Sequence, residues 1–521
     1  MSLEGLAPVP VEVELPRRWG WAVPDVDRVA CAVVALTLVA VGLRFAGLSS
    51  QSFWGDEALT VSEIRRPLGP MFGLVLNQET TPPLYFVLAW AWAHVFGSGE
   101  AAIRSLSALA GTAMVPLAYL AGARLFTRRV GVIAAALAAV NPFLIWYSQE
   151  ARAYAVYMTL AGLSFLCFVA VLRSRSLRWL AGWAVASALA LTSHFFALFL
   201  VGPEALWLLL AWPGRRSAIA VGGVAAVGLV LLPVGIVDTT HGTGWIAESP
   251  LAERVGRTAG EFALGPAART SWLGGALVVF AGVAAVGLAA VGLAMRGRER
   301  RSALLALAVG GSAVAIPLGM AALGADLLNP RNVAAAWLPL TIVAAAGLGS
   351  RRAGRAGSVA AAVVCGGSLA LTVAMMTRPG LQRPDWRAVA AEMGPITSAR
   401  AVIADASGAE PLRLYLPDVA LGAASSPTVI REIALVRHIS HVGPYAGCRR
   451  LRCLPASPPA SAADAVRLPV RHARIGDYAL ARWSLRRPVR VTPGRLRLAT
   501  LRGLDPYGKH RILVVVQDPG T

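Results

Sequence analysis

The stretch VGVIAAALAAVNPFLIWY at residues 130–147 follows Arg128-Arg129 and precedes a short charged run. Its length approaches the roughly 20 apolar residues that a helix needs to cross a hydrocarbon core about 30 Å thick. Similar stretches recur along the 521 residues, of which 56% are hydrophobic and 15% are charged, with a mean hydropathy of +0.60. A soluble protein of this length is more polar. The sequence therefore predicts an integral membrane protein with many helical spans.

Short arginine clusters alternate with arginine-poor connections between the apolar segments, and this alternation predicts the topology. The predicted spans are 27–46, 104–123, 130–147, 153–172, 179–193, 195–212, 217–237, 272–295, 302–321, 332–350 and 357–376. Arginine-rich loops stay in the cytoplasm. The polar tail 1–26 is therefore expected in the cytoplasm, before an uncleaved first span, and residues 47–103 and the C-terminal region are expected outside.

One apolar segment, TTPPLYFVLAWAWAHVFG at residues 80–97, does not fit this alternation as a span. If it crossed the membrane, every later arginine cluster would move to the outside. We therefore predict a juxtamembrane or re-entrant helix, opened by Pro82-Pro83 and anchored by Trp90 and Trp92. Eleven spans remain.

Residues 379–521 lack long apolar runs and predict a small extracytoplasmic α+β domain. A helix-like stretch covers 385–393, strand-like pieces cover 401–404, 412–416 and 512–517, and residues 457–463 read as a linker. Cys448 and Cys453 are close enough in sequence for a small disulfide, which the pattern leaves open. The domain is basic, which suits either an anionic headgroup or glycan, or simply a solvated surface.

The formal net charge of +21 does not indicate a nucleic-acid-binding protein. Much of the excess lies in short runs between apolar segments, where the positive-inside rule explains it. Topology therefore accounts for the charge without a nucleic-acid partner.

Polar residues concentrate in two of the predicted outer loops. The first loop contains the run Phe53–Ala58 with its adjacent acids Asp56 and Glu57, followed by Glu79 and Arg104; the second contains the run Tyr147–Tyr154, with Glu150 and Arg152. Adjacent carboxylates are often no more than solvated loop charges. Polar groups at the depth of the membrane are costly, however, unless they face a cavity or a ligand.

These motifs resemble the glycosyltransferase family 39-like membrane proteins of the GT-C superfamily. The similar features are the early Asp-Glu pair, the Pro-Pro-Leu helix, the Arg104–Ser107 start of the second span, and the Asn-Pro…Tyr-Ser-Gln-Glu-Ala-Arg-x-Tyr run. Protein O-mannosyltransferases, the lipid A aminoarabinose transferase and the oligosaccharyltransferase catalytic subunit are relatives. The resemblance implies an all-α polytopic fold and transfer of a sugar from a polyprenyl phosphate to an acceptor hydroxyl on the outer face, with inversion.

The resemblance also assigns roles. Asp56 matches the family's early acidic residue, which acts as general base or orients the acceptor, with Glu57 beside it. The lipid phosphate needs fixed positive charge, for which Arg152 and Arg331 are the best candidates, although each also suits an interfacial anchor. His194 is a further candidate, although a structural histidine is the more common case. Glu150, Tyr154, His194, Glu79 and Arg104 are the candidates for substrate binding.

The sequence departs from the family after Tyr154. Several relatives have an aspartate where this chain reads Ala155-Val156-Tyr157-Met158, so Glu150 is the substitute candidate. A divalent cation, Mg²⁺ or Mn²⁺, stays open for this reason. The resemblance does not specify the sugar, and the acceptor is a glycan, a lipid or a protein.

Two other functions compete with the glycosyltransferase. A transporter or flippase of a lipid-linked sugar would place functional residues on both membrane faces, and the chain shows no internal repeat of the kind transporters use. A non-catalytic scaffold that binds cell-wall polymer would tolerate changes at Asp56. The preferred interpretation is a cell-envelope enzyme of the plasma membrane, with a cytoplasmic tail (1–26), a transmembrane module (27–378) carrying the catalytic loop 47–103, and an outer domain (379–521).

Overall fold

A computed structural model of the chain shows a mostly helical protein with one small mixed sheet. It describes residues 27–79, 81–241, 244–269, 296–405, 408–416, 419–420, 428–438, 466–475, 478–491 and 512–517. The predicted span 272–295, the tail 1–26, the linker 457–463 and the pair Cys448 and Cys453 lie outside these residues. Two compact units are present: the membrane unit (Met1–Leu48 and Arg66–Thr377) and the C-terminal unit (Ser49–Arg65 and Arg378–Thr521).

The membrane unit consists of helices. They are α1 (Arg28–Phe45), α3 (Leu68–Gln78), α4 (Leu84–Phe96), α5 (Glu100–Leu125), α6 (Arg128–Val140), α7 (Pro142–Ser148), α8 (Tyr154–Ser174), α9 (Leu177–Ser193), α10 (Leu198–Ala211), α11 (Arg215–His241), α12 (Leu251–Leu264), α13 (Gly297–Ala322), α14 (Trp337–Gly349) and α15 (Gly354–Thr377). Helix α2 (Gly55–Ile64) belongs to the C-terminal unit.

Six of the described helices are long and apolar enough to cross a membrane: α1, α5, α8, α11, α13 and α15. A seventh span is formed if α6 and α7, which are bent by 55° at their junction, count together. The predicted spans 179–193, 195–212 and 332–350 are shorter helices, of 17, 14 and 13 residues. Helices α10 and α14 are shortened because each follows a 3₁₀ turn, Phe195–Ala197 and Ala334–Ala336. Helix α4, with 13 residues, is too short to span, as predicted for this segment.

The bend between α6 and α7 follows from Asn141-Pro142. Proline cannot continue the helix that precedes it, but it is well suited to the first turn of a new one. Asn141 caps that turn, because its side-chain oxygen accepts a hydrogen bond from the Leu144 N–H at 3.0 Å. The single span predicted over 130–147 is therefore two helices.

The core of the membrane unit is built from alanines and aromatic rings. Helices α5 and α6 approach closely at Gly122 and Gly131, where a Cβ on Gly122 would lie 3.0 Å from the Gly131 Cα. Small residues allow such contacts between membrane helices. Large apolar side chains such as Leu38, Leu210 and Val230 are 64%, 67% and 77% exposed. Their exposure is expected of side chains that face lipid rather than water.

The C-terminal unit combines α2 with a sheet and two short helices. These are α16 (Trp386–Met393), α17 (Ala409–Tyr415), β1 (Arg400–Asp405), β2 (Val419–Ala420), β3 (Thr428–His438), β4 (Val466–Ile475), β5 (Tyr478–Val491) and β6 (Ile512–Gln517). The strand order is β2-β6-β1-β3-β5-β4. Strands β1 and β3 are parallel and the other neighbours are antiparallel.

Several predicted elements of this unit are confirmed and one is wrong. The helix expected at 385–393 is α16, with Asp385 as its N-cap. The strands expected at 401–404 and 512–517 are parts of β1 and β6. The piece 412–416, predicted as a strand, lies largely in helix α17. Its apolar residues pack into the core with Trp386 and Val402, a contact that either helix or strand would make.

Candidate functional site

The predicted site residues are divided between the two units. Glu79, Arg104, Glu150, Arg152, Tyr154, His194 and Arg331 belong to the membrane unit, while Asp56 and Glu57 belong to the C-terminal unit.

Arg152 forms a buried ion pair with Glu79. The Nη2 atom of Arg152 donates to Glu79 Oε2 at 3.3 Å, and the two side chains are only 7% and 4% exposed. Glu79 caps the C-terminus of α3, and Arg152 lies between α7 and α8. The guanidinium carbon also lies 5.8 Å from the centre of the Phe86 ring. These contacts fix the orientation of the Arg152 guanidinium.

Arg331 and His194 lie in the same neighbourhood of the membrane unit. The Arg331 Cζ is 5.6 Å from the centre of the Tyr154 ring, and that ring is 5.7 Å from the imidazole of His194. His194 also stacks on Tyr157, with centroids 4.7 Å apart. We call this set, Glu79, Arg152, Tyr154, Tyr157, His194 and Arg331, the arginine–histidine cluster.

The charge state of His194 follows from its surroundings. It lies in the connection between α9 and α10 and is 5% exposed. Burial, and then the positive charges of Arg331 and Arg152, lower the pKa of His194 from 6.5 to about 3. The imidazole is therefore neutral at physiological pH, and the cluster presents two guanidinium groups around a neutral ring.

Tyr157 and Asn332 place Arg331 in the cluster, and the sequence interpretation assigned neither of them a role. Tyr157 donates its hydroxyl hydrogen to the Asn332 carbonyl at 3.1 Å and accepts from the Ala335 N–H at 3.4 Å. The Asn332 side chain donates to the Leu327 carbonyl at 3.0 Å. Helix α8 thereby fixes the connection that carries Arg331. The run Asn329-Pro330-Arg331-Asn332 is the sequence signal for this arrangement.

Arg44 is a third residue to which the sequence interpretation assigned no role. It is fully buried in the last turn of α1, and its guanidinium donates to the Ala139 and Ala138 carbonyls at 3.0 and 2.9 Å and to Ser148 Oγ at 3.2 Å. In return, Gln149 donates to three carbonyls at the end of α1. These contacts provide donors for the free carbonyls at the C-terminal ends of α1 and α6. They therefore anchor the loop that carries Glu150 and Arg152.

The two remaining membrane-unit candidates are held by the backbone. Arg104 is 1% exposed and donates from Nη1 to the Leu48 carbonyl at 2.8 Å. Glu150 is 2% exposed, and its carbonyl accepts from the Arg152 N–H at 2.8 Å in a tight turn. Arg104 thus helps to anchor the chain after α1, and Glu150 helps to shape the turn before Arg152.

Asp56 and Glu57 have different environments although they are neighbours. Both lie in the first turn of α2. Glu57 is 0% exposed and accepts from the Trp54 N–H at 3.3 Å, which caps the start of the helix. Asp56 is half-buried. Two carboxylates in unlike environments typically have unlike roles, and Asp56 is the more accessible of the pair.

Within the described ranges, no three His, Cys, Asp or Glu side chains gather closely enough to hold a metal ion. Glu79 already faces Arg152. No ligand set for Mg²⁺ or Mn²⁺ is assigned among these residues.

Glu204 is a buried acid that no predicted role covers. It is 0% exposed in α10 and accepts from Ser164 Oγ at 2.6 Å and from the Trp183 indole N–H at 2.9 Å. Acids within membrane helices are rare and almost always partnered. The signal in the sequence is a single acid inside the apolar segment 195–212.

Comparisons with known proteins agree with the fold. The family model described as dolichyl-phosphate-mannose-protein mannosyltransferase matches residues 80–237. No curated protein matches the chain by sequence. The crystal structure of ArnT from Cupriavidus metallidurans in the apo state has a TM-score of 0.52 at 13% identity, covering 87% of this chain and 98% of ArnT.

Two further crystal structures are similar. ArnT from Cupriavidus metallidurans bound to undecaprenyl phosphate has a TM-score of 0.49 at 14% identity, covering 86% of this chain and 97% of ArnT. The oligosaccharyltransferase of Archaeoglobus fulgidus, in complex with Zn and sulfate, has a TM-score of 0.42 at 14% identity, covering 70% of this chain. The chain spans 55% of that protein's length. The family match over residues 80–237 and the ArnT-like fold confirm the predicted resemblance: the chain has a multi-pass helical membrane fold similar to that of ArnT, and residues 80–237 are similar to the dolichyl-phosphate-mannose-protein mannosyltransferases.

Proposed function

We propose that the protein transfers a sugar from a polyprenyl-phosphate donor to an acceptor hydroxyl at the outer face of the plasma membrane, with inversion. The observation that carries the proposal is the arginine–histidine cluster. Arg152 and Arg331 lie close enough to the neutral imidazole for both charges to lower its pKa, so two guanidinium groups are gathered among buried and half-buried residues, with Glu79 paired to Arg152. A lipid phosphate supplies the oxyanion that such a cluster accommodates. The family description, which names a dolichyl-phosphate sugar, supports the same donor class.

In the proposed reaction, the carboxylate of Asp56 takes the proton of the acceptor hydroxyl. The hydroxyl oxygen forms a bond to the anomeric carbon, and the bond from that carbon to the phosphate oxygen breaks. The electron pair leaves with the lipid phosphate, whose charge Arg152 and Arg331 stabilise. Asp56 is supported by its partial exposure in the first turn of α2, whereas buried Glu57 caps that helix. Glu150, Tyr154, His194, Glu79 and Arg104 complete the proposed binding residues.

The proposed topology follows the arginine distribution. The N-terminus lies in the cytoplasm, and loop 47–103 and the domain 379–521 lie outside. The acceptor is a glycan, a lipid or a protein of the cell envelope, and a divalent cation stays a candidate cofactor.

Transfer of radiolabelled sugar in membranes tests the proposal, with a panel of polyprenyl-phosphate sugars. Asp56→Asn is expected to lower the rate by about 10²–10⁴-fold, as loss of a general base does. Arg152→Gln and Arg331→Gln each remove charged hydrogen bonds to phosphate, worth roughly 1.5–3 kcal/mol, and are expected to weaken donor binding by about 10–150-fold. Matched controls are Glu410→Gln and Arg128→Gln, which alter an acid of α17 and an arginine that is 68% exposed.

The alternative functions give different results in this assay. Label that stays on the lipid with every donor, while it moves between membrane faces, would favour a transporter. Equal transfer by the wild type and Asp56→Asn would remove Asp56 as the base. A scaffold predicts neither transfer nor donor binding.

A further inference from the structure

The segment that leads into α2 is held by hydrogen bonds to residues far away in the sequence but within the same unit. Arg387 Nη2 donates to the Ser49 and Ser50 carbonyls at 3.0 and 3.4 Å, and the Arg383 N–H donates to Gln51 Oε1 at 2.9 Å. Ser52 Oγ accepts from the Trp386 N–H at 2.9 Å and donates to the Pro384 carbonyl at 3.1 Å. The Phe53 N–H donates to Tyr415 Oη at 2.7 Å. Every residue from 49 to 53 therefore has a partner in residues 383–415.

The bonds of Ser52 and Phe53 are costly to break because these residues are buried. Ser52 is 0% exposed, and Phe53 and Trp386 are each 2% exposed. Ser52 Oγ is used as both donor and acceptor. A buried donor or acceptor that loses its partner costs about 1–3 kcal/mol, because water does not replace the partner. The path of the segment is thus tightly specified.

The same unit also fixes the helix itself. Helix α2 packs against α17, the helix that ends at Tyr415. The Tyr415 hydroxyl accepts from the amide one residue before the N-cap, Trp54, and Asp56 lies two residues after that cap. Movement of the Phe53 amide therefore moves the first turn of α2 and its acid.

We infer that Tyr415 and Ser52 are positioning residues for Asp56, and that the described residues between 383 and 415 act as the clamp that sets the position of the proposed base. The inference rests on the proposed function of Asp56. A general base works only within hydrogen-bond reach of the proton that it removes. A displacement of about 1 Å costs about 10²-fold in rate. Neither Tyr415 nor Ser52 touches the reacting atoms.

Tyr415→Phe and Ser52→Ala test the clamp. Tyr415→Phe removes the hydroxyl that accepts from the Phe53 N–H and keeps the ring. Ser52→Ala removes the hydroxyl that bonds to Pro384 and Trp386, with little loss of volume. We expect kcat to fall about 5–10-fold in Tyr415→Phe, as one lost hydrogen bond implies, and further in Ser52→Ala. The KM for the polyprenyl-phosphate sugar should stay unchanged, because the arginine–histidine cluster is intact. Hydrogen–deuterium exchange of the amides of α2 should become faster in both variants.

The control is Arg413→Gln on the same helix. Arg413 pairs with Glu410 on α17, and its side chain is 42% exposed. It should leave both kcat and the exchange of α2 unchanged. If one variant does not fold, the other still tests the clamp by the split between kcat and KM.

Activity measurements separate the role of Asp56 as base from the role of Tyr415 and Ser52 in positioning it. If Asp56→Asn is inactive while Tyr415→Phe and Ser52→Ala transfer at the wild-type rate, the clamp is overturned and the proposed base stands. If Asp56→Asn transfers at the wild-type rate, the proposed base is overturned and the clamp with it. Faster exchange in α2 with an unchanged kcat would show that the bonds only stabilise the fold.

Discussion

Replacing Glu79 by glutamine removes the carboxylate that faces Arg152 and leaves a guanidinium that is 7% exposed without this partner. At 3.3 Å and an effective dielectric constant of about 20, the attraction between the two charges is roughly 5 kcal/mol. Removing one member of a buried pair typically costs about 3–5 kcal/mol, because the other charge stays desolvated. Arg152→Gln strands Glu79 in the same way. The double variant strands neither charge.

Thermal unfolding of the purified protein in detergent measures this coupling. We expect both single variants to melt well below the wild type, and the double variant to recover at least half of the loss. The exposed pair Glu253 and Arg257 on α12 is the matched control, since exposed pairs contribute at most about 1 kcal/mol. Its single and double variants should all melt close to the wild type. If the losses of Glu79→Gln and Arg152→Gln simply add in the double variant, the two groups do not form a buried ion pair.

Three other properties follow from the structure. Glu432→Gln removes the carboxylate that faces Arg400, whose side chain is 1% exposed, and should destabilise the C-terminal unit by about 3 kcal/mol. If the variant resists protease as well as the wild type does, this prediction is wrong. Because the folded state holds the pKa of His194 at about 3, against 6.5 when unfolded, unfolding takes up a proton below pH 6.5 and stability falls as the pH falls. His194→Gln should therefore flatten the dependence of the melting temperature on pH between 7 and about 5, and parallel curves would refute this. Gly111→Ala should impair folding, because its methyl group would overlap the Ser148 hydroxyl of α7. Gly42→Ala should not, because the space around Gly42 is open. Fluorescence-detected gel filtration compares the yield of folded protein for the two variants.

Much of the membrane unit could be predicted from local sequence. Hydrophobicity located α1, α5, α8, α11, α13 and α15, because lipid selects long apolar helices residue by residue. The bend at Asn141-Pro142 was missed because composition alone does not distinguish one bent helix from a straight span. Pro142 is the residue in the sequence that indicates the bend, because proline interrupts the helix that precedes it. Residues 412–416 were misassigned because a short apolar run suits a buried strand and a buried helix equally well.

The candidate site was only partly predictable. Arg152, Arg331 and His194 stood out as polar residues at the ends of predicted spans, and they contribute to one cluster. Arg44 looked like an ordinary charge at the end of α1, because its partners are carbonyls about 95 residues away in the sequence. The partners of residues 49–53 are more distant still. No local pattern marks such contacts, because they depend on the tertiary fold.

The discontinuous C-terminal unit has a consequence for how the protein is made. Residues 49–65 leave the ribosome before residues 66–377, and their partners follow only after that interval. At about 5–20 residues per second, the delay is roughly 15–60 s. During this time α2 has no α17 to pack against, and contacts that close over such long loops form slowly. Biogenesis of this protein should therefore depend on whatever shields the first loop while the chain is being translated. Substitution of Arg387 or Tyr415, whose side chains bond to residues 49–53, should reduce the yield of folded protein late in synthesis.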